Sequence, residues 1–133
     1  MKQEKTDAEE PVLRARLIAA VDAADAQTIS APSVWTNQRG SVLTILFMDS
    51  AGNFQGTYVN NASDTQCKGL PYGMRGNVQS TTVKFVVTFT PCNTVTVWKG
   101  RASGATLSTR FEAAYPNNGR IEIWRDADNF TRH

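Results

Sequence analysis

The sequence predicts an all-β domain, an eight-stranded antiparallel up-and-down barrel, preceded by an N-terminal extension that is helical or disordered. Three observations point there. From Ser33 onward, short runs rich in Val, Ile, Thr, Phe and Tyr alternate with Gly, Asn, Asp and Pro clusters. No helical period interrupts these runs, so consecutive strands must be joined by short turns, as in a meander. Eight such strands can close on themselves, which removes exposed edges and leaves an interior of the size that holds one small ligand.

The chain changes character near residue 30, which divides an extension (residues 1–30) from a barrel domain (31–133). Pro11 to Ala26 reads as helix, with Leu13, Leu17, Ala20, Val21 and Ala24 on an approximately 3.6-residue period. Pro11 suits a first helical position, and the acidic residues before it suit the positive end of the helix dipole. Such a segment reads either as a docking or dimerisation helix or as a loosely attached or frayed leader, because a helix this short is marginal alone.

The strands expected after it are Val34–Thr36, Val42–Met48, Phe54–Asn60, Gly73–Val78, Thr82–Thr88, Val95–Arg101, Thr106–Tyr115 and Ile121–Phe130. Asp49-Ser-Ala-Gly52, Gly76-Asn-Val-Gln-Ser80 and Pro116-Asn-Asn-Gly119 carry hairpin chemistry between them. Alternation is sharpest where Thr94, Thr96 and Trp98 face one way and Val95 and Val97 the other.

Charge narrows the partners. The net charge is +2, with four basic and six acidic side chains in residues 1–30 and ten basic and six acidic in the rest. Neither part suggests nucleic acid or a membrane surface, and the later basic residues stand singly, as on a solvated barrel exterior. No apolar run reaches membrane-span length. The stretch Val12 to Val21, broken by Arg14 and Arg16, is not an export signal, so either the protein is not exported or a signal has been removed.

Catalysis finds little support. His133 is the lone histidine and sits at the chain end, and there is no Gly-x-Ser-x-Gly elbow or phosphate-cradling loop. Asp126 and Asp128 can share a strand face as a carboxylate pair, but one surface and one hydrogen-bonding carboxylate is the plainer reading. The two cysteines, Cys67 and Cys92, lack metal-ligand spacing, and on count alone two thiols are as open a reading as a disulfide. The protein is therefore expected to be a non-enzyme with no metal and no cofactor.

What stands out is a series of polar residues at strand ends, mixed with aromatics. In order these are Trp35-Thr-Asn37-Gln-Arg-Gly40-Ser41, Gly56-Thr-Tyr58-Val-Asn60, Thr94-Val-Thr96-Val-Trp98-Lys-Gly100 and Asp128-Asn-Phe130-Thr131. Each alone is weak. Together, over about residues 33 to 131, they resemble the avidin and streptavidin family. The run Tyr58-Val-Asn-Asn-Ala-Ser-Asp-Thr-Gln-Cys67, then Pro71-Tyr72 and Gly76, is most similar to the dimeric, rhizavidin-like bacterial branch.

The resemblance implies an avidin-like barrel that binds biotin, a homodimer, and a secreted or periplasmic home. It implies that Asn37, Ser41 and Tyr58 donate to the ureido oxygen, and that Asp128 and Asn60 accept from the two ureido N–H groups. Thr96 then lies near the thioether, Thr94 near the ligand carboxylate, and Trp98, Phe89 and Phe111 form apolar walls. It also implies a Cys67–Cys92 disulfide beside the pocket mouth. Phe89 and Phe111 stand where the family has Trp, each giving up roughly 40–50 Å² of contact, about 1 kcal/mol. The tryptophan that four-subunit members donate across an interface has no aligned match, with Trp124 an unaligned substitute. Two other readings stay open: a barrel carrier for a different small ligand, and a structural or interaction protein working through the Pro11–Ala26 helix.

Overall fold

The computed structural model describes residues 29–63 and 67–133, and the expected helix over Pro11–Ala26 lies outside them. The strands are β1 (Ser33–Asn37), β2 (Val42–Met48), β3 (Asn53–Val59), β4 (Pro71–Gln79), β5 (Thr82–Phe89), β6 (Thr94–Ser103), β7 (Thr106–Asn117) and β8 (Arg120–Arg132). Each pairs antiparallel with the next, and β1 pairs with β8 through Trp35↔Arg132 and Asn37↔Phe130, which closes the barrel.

The expected strands all form, and most run one to three residues longer than the pattern suggests. The expected turn over Gly76–Ser80 is a correction: β4 continues through it, because Gly76 and Asn77 pair with Phe54 and Asn53 on one side and with Phe85 and Lys84 on the other. The reversal is confined to Ser80 and Thr81, between paired Gln79 and Thr82. At the opposite end Asn118 and Gly119 form a two-residue hairpin with φ of 52° and 78°, the doubly positive geometry that Asn-Gly accommodates at least cost. Gly56 serves another purpose: a Cβ there would fall 1.8 Å from the Thr44 carbonyl oxygen, so β2 and β3 can approach only across a glycine.

Side-chain alternation divides the barrel into inside and outside. Val83, Phe85, Val87 and Phe89 of β5 are buried while the residues between them are more exposed. Ile29, Ile45, Phe54, Met74, Val78, Leu107 and Phe130 are among those that fill the interior. Phe85 stacks on Trp98 at 4.8 Å between centroids and meets Phe130 edge-on at 5.9 Å. This packing fills the part of the barrel below Trp98. The other end, where β1, β3, β5 and β7 finish, stays hollow. A short 3-10 turn, Thr90–Cys92, bridges β5 and β6 there.

Candidate functional site

The hollow end encloses a cavity of about 590 Å³, within the range of small-ligand sites. Of the residues singled out from sequence, Ser41, Tyr58, Asn60, Phe89, Thr94, Thr96, Trp98, Phe111 and Asp128 all line it, and so does Cys92. Asn37 sits just behind. Its carboxamide oxygen accepts the backbone N–H of Arg39 and of Ser41, each at 2.9 Å, which fixes the β1–β2 turn. That assignment turns the Asn37 Nδ2 inward, where it donates to Tyr58 Oη at 3.4 Å.

Ser41 Oγ accepts from the Asn61 backbone N–H at 2.9 Å and donates to Asn60 Oδ1 at 3.4 Å. Asn37 Nδ2, Ser41 Oγ and Tyr58 Oη therefore converge as a donor cluster, the arrangement that receives one carbonyl-type oxygen. Burial pushes the Tyr58 phenol pKa up, and the nearby Asp128 charge adds to that, so the hydroxyl keeps its proton.

Asp128, on the neighbouring β8, is a buried carboxylate at the same cavity wall. Its Oδ2 accepts the Trp98 indole N–H at 2.8 Å. Its Oδ1 accepts from Arg39 Nε at 2.9 Å and Gln38 Nε2 at 3.2 Å. Asn60 is less open than the sequence suggests. Its amide oxygen accepts from both Ser41 Oγ and the Ala62 backbone N–H, the latter at 3.1 Å.

Trp98 forms the floor, stacked on Phe85 below and tilted against Tyr58 at 4.8 Å. Phe89 meets Tyr72 edge-on at 5.2 Å. Phe111 meets Trp124 edge-on at 4.9 Å, so the wall that phenylalanine leaves thin is thickened from β8 of the same chain. Thr94 Oγ1 donates to the Cys92 carbonyl at 3.2 Å, tying the start of β6 to the disulfide turn. Cys67 and Cys92 are joined, with Cα atoms 6.2 Å apart, so Cys67 is held beside the cavity that Cys92 lines.

Sequence reasoning missed Arg39. The basic residues were expected on the barrel exterior, yet Arg39 turns in from the β1–β2 hairpin to pair with Asp126 at 3.0 Å and Asp128 at 2.9 Å. Burial works against its charge, but the bonds to the two carboxylates outweigh it and hold its pKa above the ordinary arginine value. Asp126 and Asp128 do share the inner face, as one exposed and one buried carboxylate. A local signal for Arg39 existed only in its position beside Asn37. Its partners lie some ninety residues away and meet it only through the β1–β8 closure.

The model of the avidin family matches residues 25–132. Afifavidin of Afifella pfennigii is 36% identical over 118 residues, covering 80% of this chain and 73% of its own. Hoefavidin of Hoeflea phototrophica is 31% identical over 121 residues, covering 80% and 74%. Among solved structures, the bradavidin2–biotin complex superposes with a TM-score of 0.76 at 40% identity, covering 79% of this chain and 99% of that one. The rhizavidin–biotin complex gives 0.74 at 35% identity, covering 78% and 92%.

Proposed function

The chain belongs to the avidin family, and on that premise we propose that its barrel binds biotin and catalyses nothing. One observation carries the reading. Ser41 Oγ and Tyr58 Oη line the cavity with Asn37 Nδ2 bonded behind them, and a buried carboxylate, Asp128, lines the same cavity beside Trp98. A ureido group presents one acceptor oxygen flanked by N–H donors, and this arrangement is its complement. Buried polar groups on either partner would be costly if left unmatched, so the match also selects. The relatives solved with biotin bound support the same ligand.

In this reading Asn37, Ser41 and Tyr58 hold the ureido oxygen and Asp128 takes one N–H. Asn60 takes the other N–H through its amide oxygen. Thr96 faces the thioether and Thr94 the valerate carboxylate, while Phe89, Trp98 and Phe111 flank the fused rings. Titration calorimetry tests it: one site per chain is expected, with a raised melting temperature, because a ligand bound only by the folded state stabilises it. No heat and no stabilisation at millimolar biotin would favour a carrier for another small ligand.

We further propose a homodimer in a secreted or periplasmic setting. The outer surface of β6–β8 leaves Val95, Ile121 and Ile123 exposed, and the register Val95↔Ala114↔Ile123 sets three apolar side chains in a row. Apolar patches of this kind favour a second copy. The disulfide suits an oxidising compartment. Light scattering should give twice the chain mass, falling to one on Ile123→Glu.

A further inference from the structure

We propose that Arg39 is a positioning residue of the ligand site, aiming the Asp128 carboxylate into the cavity and completing the wall over Phe111 and Trp124. The proposal rests on the biotin-binding reading and extends it to a residue that contributes no matched ligand contact.

The geometry is that of a fork held at its base and its tips. The Arg39 backbone N–H is fixed by Asn37 Oδ1 at 2.9 Å. Its Nε reaches Asp128 Oδ1 at 2.9 Å, and its Nη2 reaches Asp126 Oδ2 at 3.0 Å and the Ala127 carbonyl at 3.3 Å. The guanidinium also lies 5.7 Å from the Phe111 centroid and 5.4 Å from that of Trp124. One planar cation thus makes both the ionic bridge and the aromatic contacts, which an ammonium cannot do at once.

The bridge bears on ligand capture through Asp128. That side chain is 3% exposed, and a carboxylate so buried is costly without a partner of opposite charge. Arg39 and Gln38 occupy Oδ1, and Trp98 occupies one lone pair of Oδ2. The other lone pair of Oδ2 is then the one directed at an incoming N–H. Arg39 does not plug the site, because the cavity of about 590 Å³ is present with the side chain in place.

Calorimetry with biotin on the wild type, Arg39→Leu, Arg39→Lys and the same changes in an Asp128→Ala background tests the idea. Arg39→Leu should weaken biotin roughly ten- to hundredfold, the scale seen when partners that orient metal-holding side chains are lost. Arg39→Lys should recover part of that loss, since charge returns without the fork. In the Asp128→Ala background, Arg39→Leu should cost no more than about threefold, because the group it orients has gone. Wild-type affinity in Arg39→Leu, or an equal loss in both backgrounds, would overturn the proposal. The Trp98 indole N–H resonance of the ligand-free protein gives a readout that needs no biotin. It should shift in Arg39→Leu and return toward the wild-type position in Arg39→Lys, and an unmoved resonance would overturn the proposal. Wild-type protein that fails to bind biotin would sink the ligand reading alone, and the indole signal would still decide the role of Arg39.

Discussion

Trp98 and Asp128, thirty residues apart in sequence, are joined by a 2.8 Å bond from the indole N–H to Oδ2. The same indole stacks on Phe85 in the core and floors the cavity. Core packing therefore holds in place a donor that in turn orients the carboxylate, so the site inherits the rigidity of the barrel beneath it.

Trp98→Phe should expose that dependence. Phenylalanine keeps part of the stacking on Phe85 but leaves Asp128 Oδ2 without its indole donor. A hydrogen bond to a charged group is worth about 1.5–3 kcal/mol, and denaturant unfolding of the ligand-free variant should lose that much. Biotin affinity should fall with it. Unchanged stability and unchanged affinity would mean that the bond contributes nothing to either.

Replacing Phe111 by Trp is expected to weaken biotin binding. Phe111 is already enclosed by Trp124 at 4.9 Å, Trp98 at 6.2 Å and the Arg39 guanidinium at 5.7 Å. The larger ring has to displace one of these, at roughly 1–3 kcal/mol. If Phe111→Trp binds biotin more tightly, then the phenylalanine merely underfills an unaltered pocket and Trp124 is not part of its wall.

Breaking the Cys67–Cys92 bond should lower stability by about 3.5 kcal/mol in the chain-entropy description, given its sequence separation of 25. A Cys67→Ser/Cys92→Ser double variant, unfolded in parallel with the wild type, measures this directly. Biotin should also dissociate faster, because Ala62 and Ser63, which line the cavity, lose a covalent tie nearby and must be fixed at binding. Equal off-rates would show that the disulfide serves the fold alone.

Tyr58 predicts an alkaline limit to stability. Burial raises its folded-state pKa above the ordinary 10, while the unfolded chain titrates normally. Below pH 10 both states keep the proton and nothing changes. Above it the unfolded state releases a proton that the folded state retains, so stability falls as pH rises toward the folded pKa. Tyr58→Phe should remove that part of the decline and also weaken biotin by deleting an oxygen-facing donor. A wild-type unfolding profile that matches Tyr58→Phe above pH 10 would contradict the assignment.

Local pattern determined a great deal of this protein. Period-two alternation in stretches such as Thr94 to Trp98 defines which side chains face inward, and that depends only on the pleat of one strand. Asn118-Gly119 defines a hairpin because few residues accept two positive φ angles in succession. The polar set at the strand ends was legible because its members follow in a characteristic order, and the fold does bring them to one end of the barrel. Three matters were settled only by tertiary structure. Arg39 points inward because closure sets the β1–β2 turn beside Asp126 and Asp128, and no local rule relates residues that far apart. Trp124 joins the wall because its register partner is Ala113, whose small side chain leaves room beside Phe111. Asn60 engages Ser41 and Ala62 because the chain after β3 folds back over its own carboxamide. Side-chain type and spacing are properties of the string, whereas which of two acceptors a donor meets depends on distances that exist only once the sheet has closed.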